Sequence, residues 1–261
     1  MLGSVPSSTP VILIDNDSKD TSKLETLASD FEAILVKNFE NKGFGTACNQ
    51  GAALAKTEFI LFLNPDTELF GCTIDRLLEA ADRYPEASAF NPSFGNVSGR
   101  SNIKRNSPLI SFTERIPRGR PDKDRKLPVL SGAALFIRRE AFEEVGGFDP
   151  GIFLYHEDDD LSRRLIAQCG PLYFVRNASV THLGGRSTPR NPETAALKAW
   201  HMGRSRVYVM KKHNRPFPQT QPLISALVQV CSPAVLFSAR IRAKKFAFLK
   251  GVLSAITQKP S

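Results

Sequence analysis

The run PVILIDND, residues 10–17, constrains the fold more than any other stretch of this chain. Val11, Ile12, Leu13 and Ile14 form a continuous apolar, largely β-branched segment, closed by Asp15, Asn16 and Asp17. A strand with one wet face would alternate, whereas an unbroken run bounded by turn formers marks a strand buried on both faces, as in a parallel sheet. TSKLETLASDF follows with helical spacing at Leu24, Leu27 and Phe31, and EAILVKN is again strand-like. NKGFGTACNQGAALAKT then gives a Gly-rich loop leading into a small-residue helix, and EFILFLNPDTEL a strand that ends in Asn64, Pro65 and Asp66. The order β, α, β, α, β with short connections predicts an α/β fold: a doubly wound, mostly parallel sheet flanked by helices.

From about Pro92 to Pro128 the chain is rich in Pro, Arg, Ser and Asn with little periodicity, and reads as a long surface loop. Regular structure resumes at VLSGAALFIRREAFEEVGGF, a strand and a short helix stopped by Gly146 and Gly147. A helix through EDDDLSRRLIAQCG, a strand at LYFVRNASVTHLGG and a helix from about Pro192 to Lys212 complete a body spanning residues 1–215. Residues 216–261 form a separate helical tail. Within it, RIRAKKFAFLKGVLSAI places Ile241, Phe248, Leu249, Val252 and Ile256 at helical spacing, with Arg240, Arg242, Lys244, Lys245 and Lys250 between them. That pattern suits a helix lying in an anionic membrane surface, or else one that covers the body with its basic residues in water. Pro233 and the short apolar length argue against a membrane span.

Charge sharpens this division. No acidic residue follows Glu193, while twelve Lys and Arg fall between Lys198 and Lys259, leaving 23 of the 35 basic residues against all 26 acidic ones in the body. The net charge of +9 is therefore a property of the C-terminal region. It sits between apolar helical faces rather than among aromatic platforms, which sets nucleic acid aside as a partner. An apolar fraction of 41% over 261 residues fills a proper core. Cys48, Cys72, Cys169 and Cys231 include no CxxC pair, which argues against a zinc cluster and a disulfide framework and reads as reduced thiols in a cytosolic protein. The opening MLGSVPSSTP has neither the basic nor the apolar region of an export signal.

Two acids fall at predicted strand ends, where ligands sit in open α/β sheets: Asp15 and Asp66. Each alone could merely cap a turn; with a Gly-rich loop between them they read as one site. Mg²⁺ or Mn²⁺ needs only one or two carboxylates when phosphate oxygens supply the rest, so Asp66 is a plausible ligand. His182, in VTHLGGRST, also stands at a strand end, and imidazole beside carboxylate suits Mn²⁺ better than Mg²⁺, although a lone histidine there is more often structural. HEDDDLSRR offers four consecutive acids, Glu157, Asp158, Asp159 and Asp160. An acidic first helical turn is stable for purely electrostatic reasons, and Asp160 has Arg163 and Arg164 at ion-pair spacing, so the residues alone leave open which of the four is chemical.

Six segments stand together in the order and spacing of a known family: VILIDNDSKD, NKGFGTACNQG, FILFLNPDTEL, LSGAALFIRREAFEEVGGFD, FLYHEDDDLSRRL and VTHLGGRST. Over about residues 10–215 the chain resembles family 2 glycosyltransferases of the GT-A (Rossmann-like) fold, most of all the bacterial rhamnosyltransferase-type members. The resemblance implies an inverting transfer from a nucleotide-diphosphate sugar, dTDP-rhamnose or similar, to a hydroxyl of a glycan or lipid-linked acceptor. It implies work in cell-surface polysaccharide synthesis at the inner face of the cell membrane, with the protein held peripherally. By the same resemblance Asp15 and Asn16 line the nucleobase side. Asn41, Gly43, Phe44 and Asn49 lie near the nucleotide, with Asn64 and Gly132 on the sugar-diphosphate side. Asp66, joined by His182, would hold the Mn²⁺ or Mg²⁺, Asp158 would be the general base, Glu157 would orient it or meet the acceptor, and Asp159 would have no chemical part. Direct displacement at the anomeric carbon does need a proton acceptor and a cation on the departing diphosphate. Hydrolysis by two carboxylates without metal is the weaker alternative.

The chain departs from the family in two ways. It begins almost at the family's second strand, so an exposed sheet edge is expected, together with the alternative of a remnant that binds without transferring. Asn64 also replaces the first acid of the family's DxD element, which leaves Asp66 the one carboxylate there.

Overall fold

The computed structural model describes residues 1–95, 103–119, 121–182 and 191–258. A short 3₁₀ turn, Leu2–Ser4, precedes β1 (Ile12–Asn16), α1 (Ser22–Asp30), β2 (Ile34–Asn38) and α2 (Phe44–Leu54). Then come β3 (Phe59–Leu63), β4 (Thr67–Leu69), α3 (Thr73–Arg83), β5 (Ala89–Gly95), β6 (Arg125–Leu127), β7 (Ala134–Arg138) and α4 (Arg139–Glu144). The acidic run opens α5 (Glu157–Gln168), and β8 (Leu172–His182) and α6 (Pro192–Lys212) follow. The chain ends in α7 (Thr220–Val230), α8 (Ala234–Phe237) and α9 (Ala239–Thr257).

The α/β class holds, but the strand directions correct the expectation of a mostly parallel sheet. Among the described residues the strands form two sheets. β1 pairs in parallel with β2, Ile12 opposite Ile34 through Asn16 opposite Asn38. The larger sheet runs β3-β7-β5-β8-β4, with β6 on β8, and only β5 and β8 run parallel. An apolar run reports burial on both faces, not direction. Direction is set by the end at which the connection delivers the chain, and the long 96–133 connection delivers β7 antiparallel to both neighbours. Within the described residues β1 has no strand partner besides β2, and β3 none besides β7. Among the described residues each therefore carries one open edge. The chain ahead of β1 crosses near β4: Leu69 N donates to Ser4 Oγ at 3.0 Å, and Val5 packs on the cluster of Leu69, Phe94, Ala133, Ala134 and Val180.

The main core lies between the larger sheet and helices α2, α4 and α5, built on Leu135, Ile137, Phe142, Phe148, Leu161, Leu165 and Phe174. The stretch expected to be a loose surface loop sends Ile103, Leu109, Ile110 and Ile116 inward. Those apolar residues are scattered without a period, which is why no element was legible there, yet they anchor the segment by burial.

A second core joins the tail to α6 and draws on Ala199, Val207, Ala226, Phe248, Val252 and Ala255. Gly203 and Gly251 let α6 and α9 approach until backbone meets side of backbone: a Cβ on Gly251 would collide with the Trp200 carbonyl. Phe248 and Val252 are buried in this contact, so this part of the apolar face of α9 is turned toward α6, while Phe246 and Leu253 stay exposed.

Candidate active site

Polar residues close β1 and β8 and follow directly on β3. Asp15 closes β1; it is buried, and both its carboxylate oxygens accept from Ser18 N at 3.3 Å. Asn16 is a stitch. Its Nδ2 donates to Asn41 Oδ1 at 3.0 Å and to the Gly43 carbonyl at 3.1 Å, while its Oδ1 accepts from Lys42 N and from Asn38 Nδ2. Gly43, at φ +85°, begins α2 in a conformation that side chains resist, and a Cβ there would run into the Phe153 carbonyl, which accepts from Phe44 N at 3.1 Å. The Gly-rich loop is thereby tied both to β1 and to the segment leading into the acidic run. Phe44 packs edge-on against Phe148 and lies beside Gly132. Asn49 uses both ends of its amide on Phe148, donating to its carbonyl and accepting from its N–H, each at 2.8 Å. Its place is thus that of a clamp beneath the loop.

Asn64 follows β3 and donates its N–H to the Ala133 carbonyl at 3.0 Å, which also accepts from Thr67 Oγ1. Between them Asp66 meets His182: Oδ1 and Nε2 are 3.3 Å apart. The antiparallel pairing that sets Thr67 opposite His182 brings the two together, so the residues expected to share a metal are neighbours. The remainder of that motif, Gly184 and Gly185, lies outside the described residues. One carboxylate and one imidazole, both partly accessible, fit a divalent cation whose other ligands come from a diphosphate and water. Among the described residues no third His, Cys, Asp or Glu joins them.

The acidic run starts α5 after two non-glycine residues in the left-handed region, Tyr155 at φ 67° and His156 at φ 69°. Strain of this kind is held only where the surroundings over-determine it. Here α6 braces the turn: Ser205 Oγ donates to the Leu154 carbonyl at 2.9 Å, and His201 stacks on Phe153.

The four acids have four different environments. Asp158 Oδ2 accepts from Gly132 N at 3.0 Å, and its Oδ1 faces Lys104 Nζ at 2.7 Å. Asp159 is buried between Lys104, 2.8 Å from Oδ1, and His156 Nδ1, 2.7 Å from Oδ2. Burial pushes its carboxyl up, yet Lys104 and His156 together outweigh it and hold the group down at about 2. Asp160 is fully buried, with His213, Lys212 and Arg164 each at 2.8 Å; burial again opposes, and these partners hold it at about 2. Glu157 is buried with Oε2 lacking any hydrogen-bond partner among the described residues. Burial first, and the Asp158 charge second, push its carboxyl up to about 8, so it stays protonated at neutral pH.

One short stretch joins the two halves of the site. Gly132 faces Asp158, while the next residue, Ala133, binds Asn64 and Thr67 on either side of Asp66. Buried Asn91 fixes this stretch, bonding Ser131 N, the Ser131 carbonyl and the Ala134 carbonyl, and Ser162 Oγ takes the Leu130 N–H.

Residues 7–146 match glycosyl transferase family 2. The chain belongs to that family. A second finding agrees: it is 30% identical over 233 residues to the N-acetylglucosaminyl-diphospho-decaprenol L-rhamnosyltransferase of Mycobacterium tuberculosis (strain ATCC 25618 / H37Rv), covering 78% of this chain and 75% of the relative. Rhamnosyltransferase WbbL of Escherichia coli (strain K12) is 26% identical, over 78% of this chain and 85% of its own length. Among solved structures, GalNAc-T7 with UDP, GalNAc and Mn²⁺ superposes at a TM-score of 0.60 and 18% identity, over 95% of this chain and 50% of that protein. That likeness speaks for the fold, and the chain spans half the length of GalNAc-T7. This family 2 glycosyltransferase thus has the GT-A architecture and the rhamnosyltransferase-like kinship expected from its six motifs.

Four contributors at the site escape motif reading: Lys104, His156, Asn91 and Ser162. A polar Asn91 inside the strand run AFNPSFG is a visible signal of a buried hydrogen-bonding role; Lys104, in an aperiodic basic stretch, leaves none.

Proposed function

We propose that this chain transfers a sugar, rhamnose first among candidates, from a nucleotide-diphosphate donor to a hydroxyl of a glycan or lipid-linked acceptor in polysaccharide synthesis, with inversion. The observation that carries the reading is the bridge through residues 132 and 133, which sets Asp158 on one flank of a strand end and the Asp66–His182 pair on the other. A single displacement needs its proton acceptor across the sugar from the phosphates, and this arrangement supplies two separate positions.

In this reading Asp66 and His182 hold a Mn²⁺ or Mg²⁺ ion, which neutralises charge on the departing diphosphate when bound. Asp15 and Asn16, with the loop at Asn41 and Gly43, receive the nucleotide, while Phe44 and Asn49 stiffen that loop from below. Asp158 takes the acceptor proton at Oδ1. Its other oxygen stays on Gly132 N, which fixes the carboxylate plane. Lys104 guards Oδ1 until an acceptor hydroxyl takes its place. Glu157, protonated, adds no second charge behind the base. Residues 1–215 act as the transfer domain, and residues 216–261 attach it to the membrane face where a lipid-linked acceptor resides.

The test is turnover of dTDP-rhamnose and other nucleotide sugars with Mn²⁺ and a polyprenyl-diphosphate-linked N-acetylglucosamine acceptor, reading the anomeric configuration of the product. Asp158→Asn is expected to abolish transfer and leave nucleotide binding nearly intact. A parent chain that shows neither donor hydrolysis nor nucleotide binding would sink the proposal. The open edges of β1 and β3 favour one second reading, a member that binds nucleotide without turnover, and the same assay separates the two.

A further inference from the structure

A run of apolar side chains is left uncovered on α7 and α8. Along α7, Ile224, Leu227 and Val228 are exposed, and Cys231 continues them at the next turn; the spacing i, i+3, i+4, i+7 makes one stripe. The opposite side of α7, Pro222 and Ala226, is buried against the α6–α9 core. Helix α7 is therefore apolar on both sides and covered on one. In α8, Val235 turns inward while Leu236 and Phe237 are 77% and 86% exposed. Large side chains left bare in succession on a soluble face mark an interaction surface.

Charge identifies the occupant. Arg240, Arg242 and Lys244, all exposed, follow directly on the first turns of α9, and the Arg242 guanidinium reaches back to the Val235 carbonyl at 3.4 Å, holding positive charge against the apolar knuckle. None of the ion pairs among the described residues involves these three, and the sequence has no acid after Glu193. We infer that the α7–α8 knuckle, with Leu236 and Phe237 at its tip and Arg240, Arg242 and Lys244 behind it, inserts into the headgroup region of an anionic lipid bilayer. The inference rests on the proposed lipid-linked acceptor for its purpose, but on exposure and charge for its location.

Bare apolar side chains flanked by cations match an interface that is apolar below and anionic above. A second copy of the chain fits poorly, because a two-fold contact through this face would set the three cations against their own images with no acid to answer them. A span is unsupported: among the described residues no helix is long and apolar enough to cross a membrane. The location also serves chemistry. Helix α6 leads into α7 and braces the acidic run through Ser205, while His213 just beyond it holds Asp160, so bilayer contact is relayed by one rigid helix to the turn that carries Asp158.

The full chain should co-sediment with vesicles of equal parts phosphatidylcholine and phosphatidylglycerol, bind phosphatidylcholine vesicles weakly, and lose binding as salt rises. Leu236→Ser with Phe237→Ser should weaken binding to the mixed vesicles at least about tenfold. Arg240→Gln with Arg242→Gln should weaken it while leaving the residual binding to phosphatidylcholine unchanged. A polarity-sensitive fluorophore on Cys231, in a Cys72→Ser background, should shift to the blue on mixed vesicles, a readout that needs no change in the knuckle itself. Equal binding by parent and variants, or an unshifted label, would overturn the inference, as would a parent dimer that the apolar variants convert to monomer. These measurements use neither donor nor acceptor, so their failure leaves the transfer reading standing, and an inactive chain that still binds vesicles leaves this one standing.

Discussion

Glu157 and Asp160 share the first turn of α5 and titrate in opposite directions, which makes them separable by pH. Glu157, raised to about 8 by burial and by Asp158, binds its proton more tightly folded than unfolded. It therefore costs nothing below its unfolded value near 4.5, and the fold loses stability as pH rises from there to about 8. Glu157→Gln should remove that loss: thermal unfolding should show the variant matching the parent near pH 4 and exceeding it by roughly 5 kcal/mol above pH 8. Asp160 is the reverse case. Held at about 2 by hydrogen bonds from His213 and Lys212 and by the charges of Arg164 and Lys212, it stabilises the fold fully above its unfolded value near 3.8, and that contribution fades as pH falls toward 2. Asp160→Asn leaves Arg164 without its buried counter-charge and Lys212 with Asp149 alone, and should cost about 3 kcal/mol in urea unfolding at pH 7, with the gap narrowing at acid pH. The pairing of Asp160 with Arg164 was legible from i, i+4 spacing; Arg163 instead meets Glu114, and the contribution of α6 to Asp160 is a tertiary fact no local spacing carries.

At the scale of elements, the crossing of α6 and α9 depends on two glycines at one contact, where backbone approaches backbone. Gly251→Val should drive the helices apart and lower stability by about 1–3 kcal/mol, whereas Gly71→Ala, in open space, should be near neutral; paired melting curves decide it. The limits of α6 could be read directly, since Asn191 and Pro192 are a cap and a first-turn proline, and Asn191 Oδ1 does accept from Thr194 N at 2.8 Å. The partner of α9 could not. An amphipathic repeat states that a face will be covered and is silent on whether lipid or protein covers it. Strand direction was hidden for a related reason, because β7 and β3 have the same apolar composition whichever way they run. The Asp66–His182 pair was legible since both residues end strands, and Lys104 was not, because an aperiodic segment reaches the site only through its buried neighbours Ile103 and Leu109.

For the whole molecule, the division of its strands into two sheets has a consequence for how the protein lives. The β1–β2 pair is joined to the rest by α2, whose Gly51 lies against Ile12 and Ile14, and by the Asn16 stitch, and Ile34 on β2 is more than half exposed. So small an interface implies that this unit opens at lower free energy than β5, buried along all but its last residue, and the half of β8 that begins with four buried residues. Amide hydrogens of β1 and β2 should exchange well before those of β5 and β8. A nucleotide diphosphate held between Asp15 on one sheet and the Asp66–His182 pair on the other would bridge the gap, and at about a hundred times its Kd should slow exchange in β1 roughly a hundredfold. Proteases cut what opens. The supply of nucleotide sugar would then set the lifetime of the folded chain as well as its rate of turnover, with donor-starved molecules cleared first.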